Sequence, residues 1–132
     1  MASVLTSLGR EWVVDRLVGV SGQYSTDLGN FAGWGTGAGT ANTTDTTLFT
    51  ESNDPVSSAR YTTGGAITKQ GSGSTSKWQY IITMPSTSTQ TITNAGLFKA
   101  GGAASMFVKG DFTGIALVTG DSIQFTYSLT PS

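Results

Sequence analysis

From Ser122 to Leu129 apolar and polar residues alternate without a break: Ile123, Phe125, Tyr127 and Leu129 against Ser122, Gln124, Thr126 and Ser128. A period of two belongs to an extended strand with one dry and one wet face, and no helix sorts these residues that way. Trp78, Tyr80, Ile82 and Met84 repeat the pattern against Gln79, Ile81 and Thr83, until Pro85 stops it. Extended runs also fit 59–68, 91–98 and Met106-Phe107-Val108 with Phe112, the last broken near its end at Gly110-Asp111. Gly71-Ser72-Gly73-Ser74 has the composition of a hairpin tip, and Gly120-Asp121 that of a turn. The expected fold is mainly β: an antiparallel β-sandwich, jelly-roll or Ig-like, of about six or seven strands.

One segment departs from this period. Leu5, Leu8, Trp12, Val13 and Leu17 recur at spacings of three to five, with Ser3 placed to cap a helix and Gly19 to end it. The expectation is a short amphipathic N-terminal helix over 3–19. It either closes one end of the sandwich or acts as an arm that docks on a partner. The chain thus divides into an N-terminal helix or arm, 1–30, and a sandwich, 31–132, within the size of a single structural unit.

Between them lies Phe31-Ala32-Gly33-Trp34-Gly35-Thr36-Gly37-Ala38-Gly39. Alternating glycines let a backbone approach another surface closely, and no Gly-Lys-Ser/Thr follows to make a phosphate loop. Asp45 stands where it would cap a single helical turn.

Composition closes off much chemistry. With no cysteine and no histidine, disulfides, thiolate zinc sites, thiol nucleophiles and imidazole acid–base groups are excluded. Only 11% of residues are charged and the net charge is −1, so no basic patch exists to neutralise nucleic acid. No secretion signal or membrane-spanning run is read in the chain. Paired carboxylates for glycoside hydrolysis would have to come from Glu11, Asp45, Glu51, Asp111 and Asp121, each with a structural role on offer. Asp27, Asp45 and Asp54 sit in oxygen-rich loops, but no Asp-x-Asp-x-Asp array marks a calcium site. No catalytic residue, cofactor or metal is expected. Trp34, Tyr24 and Tyr61 are aromatic faces that would suit a sugar ring if exposed; the alternative for Trp34 is the core or a subunit seam.

Several motifs occur in order: Gly33-Trp34-Gly35-Thr36-Gly37, Ala41, Asp45-Thr46-Thr47-Leu48, Glu51, Arg60, Ile92-Thr93-Asn94-Ala95-Gly96-Leu97-Phe98 and Gly120-Asp121-Ser122-Ile123. In these the chain resembles a family of small tailed-bacteriophage virion proteins, variously labelled tail-fibre, decoration or structural proteins. Their chemistry reads as structural. Glu51 and Arg60 suit an ion-pair brace, Asn94 and Gly96 a bulge or positive φ, and Gly120 and Asp121 a turn. The resemblance implies a non-enzymatic virion component made in the host cytoplasm. The leading expectation is a capsid cement or decoration protein on the capsid exterior that binds the major capsid protein, copies of itself, or both. The alternative is a tail or tail-fibre component with host-surface carbohydrate binding. Leu5, Leu8, Trp12, Leu17 and Trp34 are the interface candidates, and a homo-oligomer with neither nucleic-acid nor membrane contact is expected.

Overall fold

The computed structural model describes residues 2–10, 13, 31–55, 60–98 and 106–129. Seven strands follow one another: β1 (Ala2–Leu5), β2 (Phe31–Gly35), β3 (Ala66–Gln70), β4 (Lys77–Pro85), β5 (Gln90–Phe98), β6 (Met106–Leu117) and β7 (Ser122–Leu129). They form two antiparallel sheets, of order β1-β6-β5-β2 and β3-β4-β7, packed as the expected β-sandwich.

The two strands with the clearest alternation pair with each other, from Trp78↔Leu129 to Pro85↔Ser122. Tyr80, Ile82, Met84, Phe125 and Tyr127 therefore line one face of the smaller sheet. Opposite them the larger sheet presents Trp34, Ile92, Ala95, Leu97, Phe107 and Val108. Ring contacts knit the layers, with Trp34 and Phe125 centroids 6.2 Å apart and Trp78 set edge-on to Phe107 at 5.5 Å. Each large side chain so buried contributes about 1.5–3 kcal/mol of transfer free energy, which makes this interface the main source of stability.

The Gly- and Ser-rich signals fall in turns. Gly71 and Gly73, at φ +73° and +55°, carry the β3–β4 connection through a short 3₁₀ turn, Gly73–Thr75. Gly120, at φ +96°, turns β6 into β7, while the Asp121 carboxylate accepts the Val118 N–H at 2.9 Å. At Gly110-Asp111 the strand itself does not break, since both residues pair within the 12-residue β6, but the register against β5 shifts just beyond Asp111. The extended run expected over 59–68 is displaced as well: Tyr61 makes an isolated bridge to Ala32, and the strand begins at Ala66.

The expected short N-terminal helix is present, but among the described residues it begins after a strand rather than at Ser3. Residues 2–5 are a strand, in register from Ala2↔Asp111 to Leu5↔Val108, and so belong to the sandwich rather than to a separate arm. Only residues 7–10 and 13 are helical among those described. Thr6, not Ser3, caps this turn: its hydroxyl accepts the Gly9 N–H at 3.0 Å and donates to the Met106 carbonyl at 2.6 Å. A three-residue spacing of leucines fits a helix, but the open edge of β6 offers a ladder of main-chain bonds that local pattern cannot foresee. Leu5 and Leu8 pack partly buried against the core. Trp12 and Leu17 lie outside the described residues.

Candidate functional site

Most of the motifs quoted above converge on the outer face of the four-stranded sheet, away from the sandwich core, whereas Gly120-Asp121-Ser122-Ile123 forms the turn into β7 of the other sheet. There β5 is buried on both sides, Ala95 and Leu97 inward and Asn94, Gly96 and Phe98 outward. The segment from Thr36 to Glu51 lies over this face as a third layer. Main-chain bonds tie its two ends to each other and the chain just after it to β2. Thr36 and Gly37 donate to the carbonyls of Thr50 and Phe49 at 3.0 and 2.9 Å, and Ser52 donates to Trp34 at 2.9 Å.

This layer explains the alternating glycines. Within β2, Trp34 points into the core while Gly33 and Gly35 point outward, beneath the covering segment. A Cβ on Gly35 would stand 2.3 Å from the Phe49 carbonyl oxygen and 2.8 Å from the Asn94 amide, which leaves no room for a side chain. Close approach, not phosphate binding, is what the spacing serves.

Asn94 is the second fixture. Fully buried, it accepts the Phe49 N–H at 3.0 Å and donates to the Phe49 carbonyl at 3.2 Å, so its amide acts as one more peptide unit in a ladder. Thr93 adds a hydroxyl bond to the Gly37 carbonyl. Register shifts of the β5–β6 pair fall between Ile92 and Asn94 and between Leu97 and Phe98. Neither Asn94 nor Gly96 has a positive φ. Gly96 stays in register opposite Lys109, and its lack of a side chain makes room for Leu48, 3.2 Å from where a Cβ would be.

Two ion pairs fasten the layer. Arg60 Nε donates to Glu51 Oε1 at 2.8 Å and Nη2 to Oε2 at 3.1 Å, a two-point contact, while the guanidinium lies 3.3 Å from the centroid of the Phe98 ring. The other pair has no counterpart among the sequence expectations. Lys109 is wholly buried, with Nζ 2.9 Å from Asp45 Oδ2, 2.9 Å from the Thr47 carbonyl oxygen and 3.2 Å from the centroid of the Phe49 ring. Asp45 therefore does not cap a helical turn; Oδ2 also accepts the Asn42 N–H, which closes a tight turn over 42–45. Desolvation raises the pKa of the Asp45 carboxyl, but the Asn42 N–H and the Lys109 ammonium outweigh it, and the net shift is downward. A lysine in a strand reads in sequence as solvated, so no signal within β6 announces this burial.

The remaining carboxylates among the described residues are equally engaged. Asp111 accepts the Ala41 N–H at 2.8 Å, and Asp54 gathers Ser86, Thr87 and Gln90, with the Gln90 amide at 2.6 Å. A carboxylate ringed by donors, or facing an ammonium, is set to hold loops together rather than to bind a cation or move a proton. No group of three acidic side chains lies together among the described residues. Glu11 and Asp27 fall outside them.

The aromatic candidates are sorted differently from the expectation. Trp34 is fully buried and has no surface to give a partner or a sugar ring. Tyr61 packs against the core, and Tyr24 is outside the described residues. Trp78, which its place in the alternation marks as core, is only partly buried. It stands at a groove of about 350 Å³ lined by Ile67, Thr68, Lys69, Ser76, Lys77 and Trp78. No family model matches the chain, and no curated protein or solved structure resembles it significantly.

Proposed function

We propose that this chain is a non-enzymatic structural protein of a tailed-phage particle, acting as a capsid cement or decoration protein that binds major capsid subunits. One observation supports this reading above others. The residues that carry the resemblance, from Gly33 and Gly35 through Asp45, Glu51 and Arg60 to Asn94, are consumed in locking a loop layer onto a sheet. What they achieve is a rigid outer face. Such a body functions by complementarity, adding about 800 Å² of buried surface per partner and stabilising the assembled lattice by mass action.

The test is the copy number of the chain in purified particles, measured by quantitative mass spectrometry against the major capsid protein and located by cryo-electron microscopy. Cement function requires hundreds of copies on the capsid exterior. A few copies on the tail would favour the tail-fibre alternative, for which Trp78 flanked by Lys69 and Lys77 supplies a platform suited to an acidic sugar. Absence from finished particles would refute both.

A further inference from the structure

The sandwich has four edges, and they are not alike. The β2 edge is closed by the bridges Ala32↔Tyr61 and Gly35↔Glu51. The β3 edge carries Lys69 near its end, with Lys77 beside it, and charge on an edge strand discourages pairing. The β1 edge is only four residues long. That leaves β7, eight residues long, hydrogen-bonded among the described residues to β4 on one side only, with β1 of the facing sheet close to it but not paired with it. From Phe112 to Leu129 the sole charged residue is Asp121, and its carboxylate is turned onto the Val118 N–H. Exposed Ile115 and Val118 precede the turn into this strand, so neither it nor its approach carries a charge set against another strand.

We propose that β7 is a self-association edge, where a second copy of this chain adds its own β7 antiparallel across a two-fold axis at Thr126. Self-pairing requires that residues meeting across the axis share a face, so the axis passes through a residue and not between two. With Thr126 on the axis, Phe125 meets Tyr127 of the second copy, and Ile123 meets Leu129. Gln124 meets Ser128 on the wet face. Every cross-strand pair matches aromatic with aromatic, aliphatic with aliphatic or polar with polar, and no like charges oppose. The result is one continuous six-stranded sheet, β3-β4-β7-β7-β4-β3, with about 24 Å of paired edge contributing main-chain hydrogen bonds along its length. This goes beyond the proposed function, which concerns binding to capsid subunits, and it stands on the edge alone. A chain monomeric in solution but stoichiometric in particles would sink this proposal and spare the other.

The experiment uses the full chain. Sedimentation velocity from about 1 to 500 μM reads the monomer–dimer equilibrium. Thr126→Lys opposes two ammonium groups across the axis and weakens the dimer at least about fivefold; Thr68→Lys, exposed on β3 and two strands away from this edge, leaves it unchanged. An unaltered thermal unfolding midpoint at low concentration shows that Thr126→Lys is folded. Because the chain has no cysteine, Thr126→Cys and Gln124→Cys then probe the register. Opposed Cα atoms about 5 Å apart suit a disulfide, so the first variant crosslinks to a dimer under mild oxidation and the second does not. A monomer throughout the range, a dimer indifferent to Thr126→Lys, or crosslinking of the Gln124→Cys variant but not of Thr126→Cys would each overturn the proposal.

Discussion

Replacing Asp45 by alanine tests the internal logic of the covered face most sharply. Lys109 has no exposed side-chain surface, and its ammonium is balanced by one carboxylate, one carbonyl and one ring face. Removing the carboxylate strands a positive charge in the interior. Breaking a fully buried pair in this way costs about 3–5 kcal/mol. The Asp45 side chain retains 20% of its surface, so water partly screens the pair and the low end, about 3 kcal/mol, applies. For a domain of this size that is roughly a 10 °C drop in Tm. Lys109→Met removes the charge that needs compensation and leaves a partly solvated carboxylate and one carbonyl without a partner, a loss of about 1 kcal/mol. The double variant should therefore resemble Lys109→Met and be more stable than Asp45→Ala alone. Urea unfolding followed by tryptophan fluorescence measures all three against the parent. If Asp45→Ala costs less than about 0.5 kcal/mol, or Lys109→Met proves the costlier change, the buried charge is not what the carboxylate serves and the reasoning fails.

Acid stability follows from the same pair. The folded pKa of Asp45 is depressed below its ordinary 3.8, so its contribution is present above that value and is lost as pH falls through the lower folded pKa; the stability advantage of the parent over Lys109→Met should shrink there. Gly35→Ala, which places a methyl against the Phe49 carbonyl, should cost about 1–3 kcal/mol and raise hydrogen exchange in the 36–51 layer before the sandwich core. Asn94→Ala removes the acceptor of the Phe49 N–H, while the Phe49 carbonyl keeps the Gly37 N–H, and should cost about 1–3 kcal/mol, with the Phe49 amide losing its exchange protection first. Tyr127 places a hydroxyl in the core without a hydrogen-bond partner among the described residues, and burial raises its pKa. Tyr127→Phe is therefore expected to be neutral or to stabilise by up to about 1 kcal/mol in thermal unfolding. A loss larger than that would mean the hydroxyl has a partner.

How much of this is legible in sequence differs from element to element. In β4 and β7 each residue's face follows from its parity, and the pairing register matches apolar with apolar from Trp78↔Leu129 onward. At the N-terminus the same reasoning misleads, since Leu5 and Leu8 satisfy a helical spacing while residues 2–5 pair with β6. The glycines at 33, 35 and 37 signal close approach without naming what approaches. Glu51 and Arg60 suit a brace by their positions around one loop, and the structure brings them to 2.8 Å. Lys109 escapes notice because nothing nearby in sequence marks it; its partners Asp45, Thr47 and Phe49 stand about sixty residues away.

By itself the sequence determined the class of fold and the chemistry denied to the chain. Period-two patterning is a local property of each strand, and the lack of cysteine and histidine is a property of the whole list of residues. Tertiary structure alone decided which strands became edges, which face received a third layer, and which charges left water. Those outcomes depend on contacts between residues far apart in the chain. Whether a side chain is buried is set by what folds over it, as Lys109 beneath Phe49 and Trp34 beneath Phe125 both show.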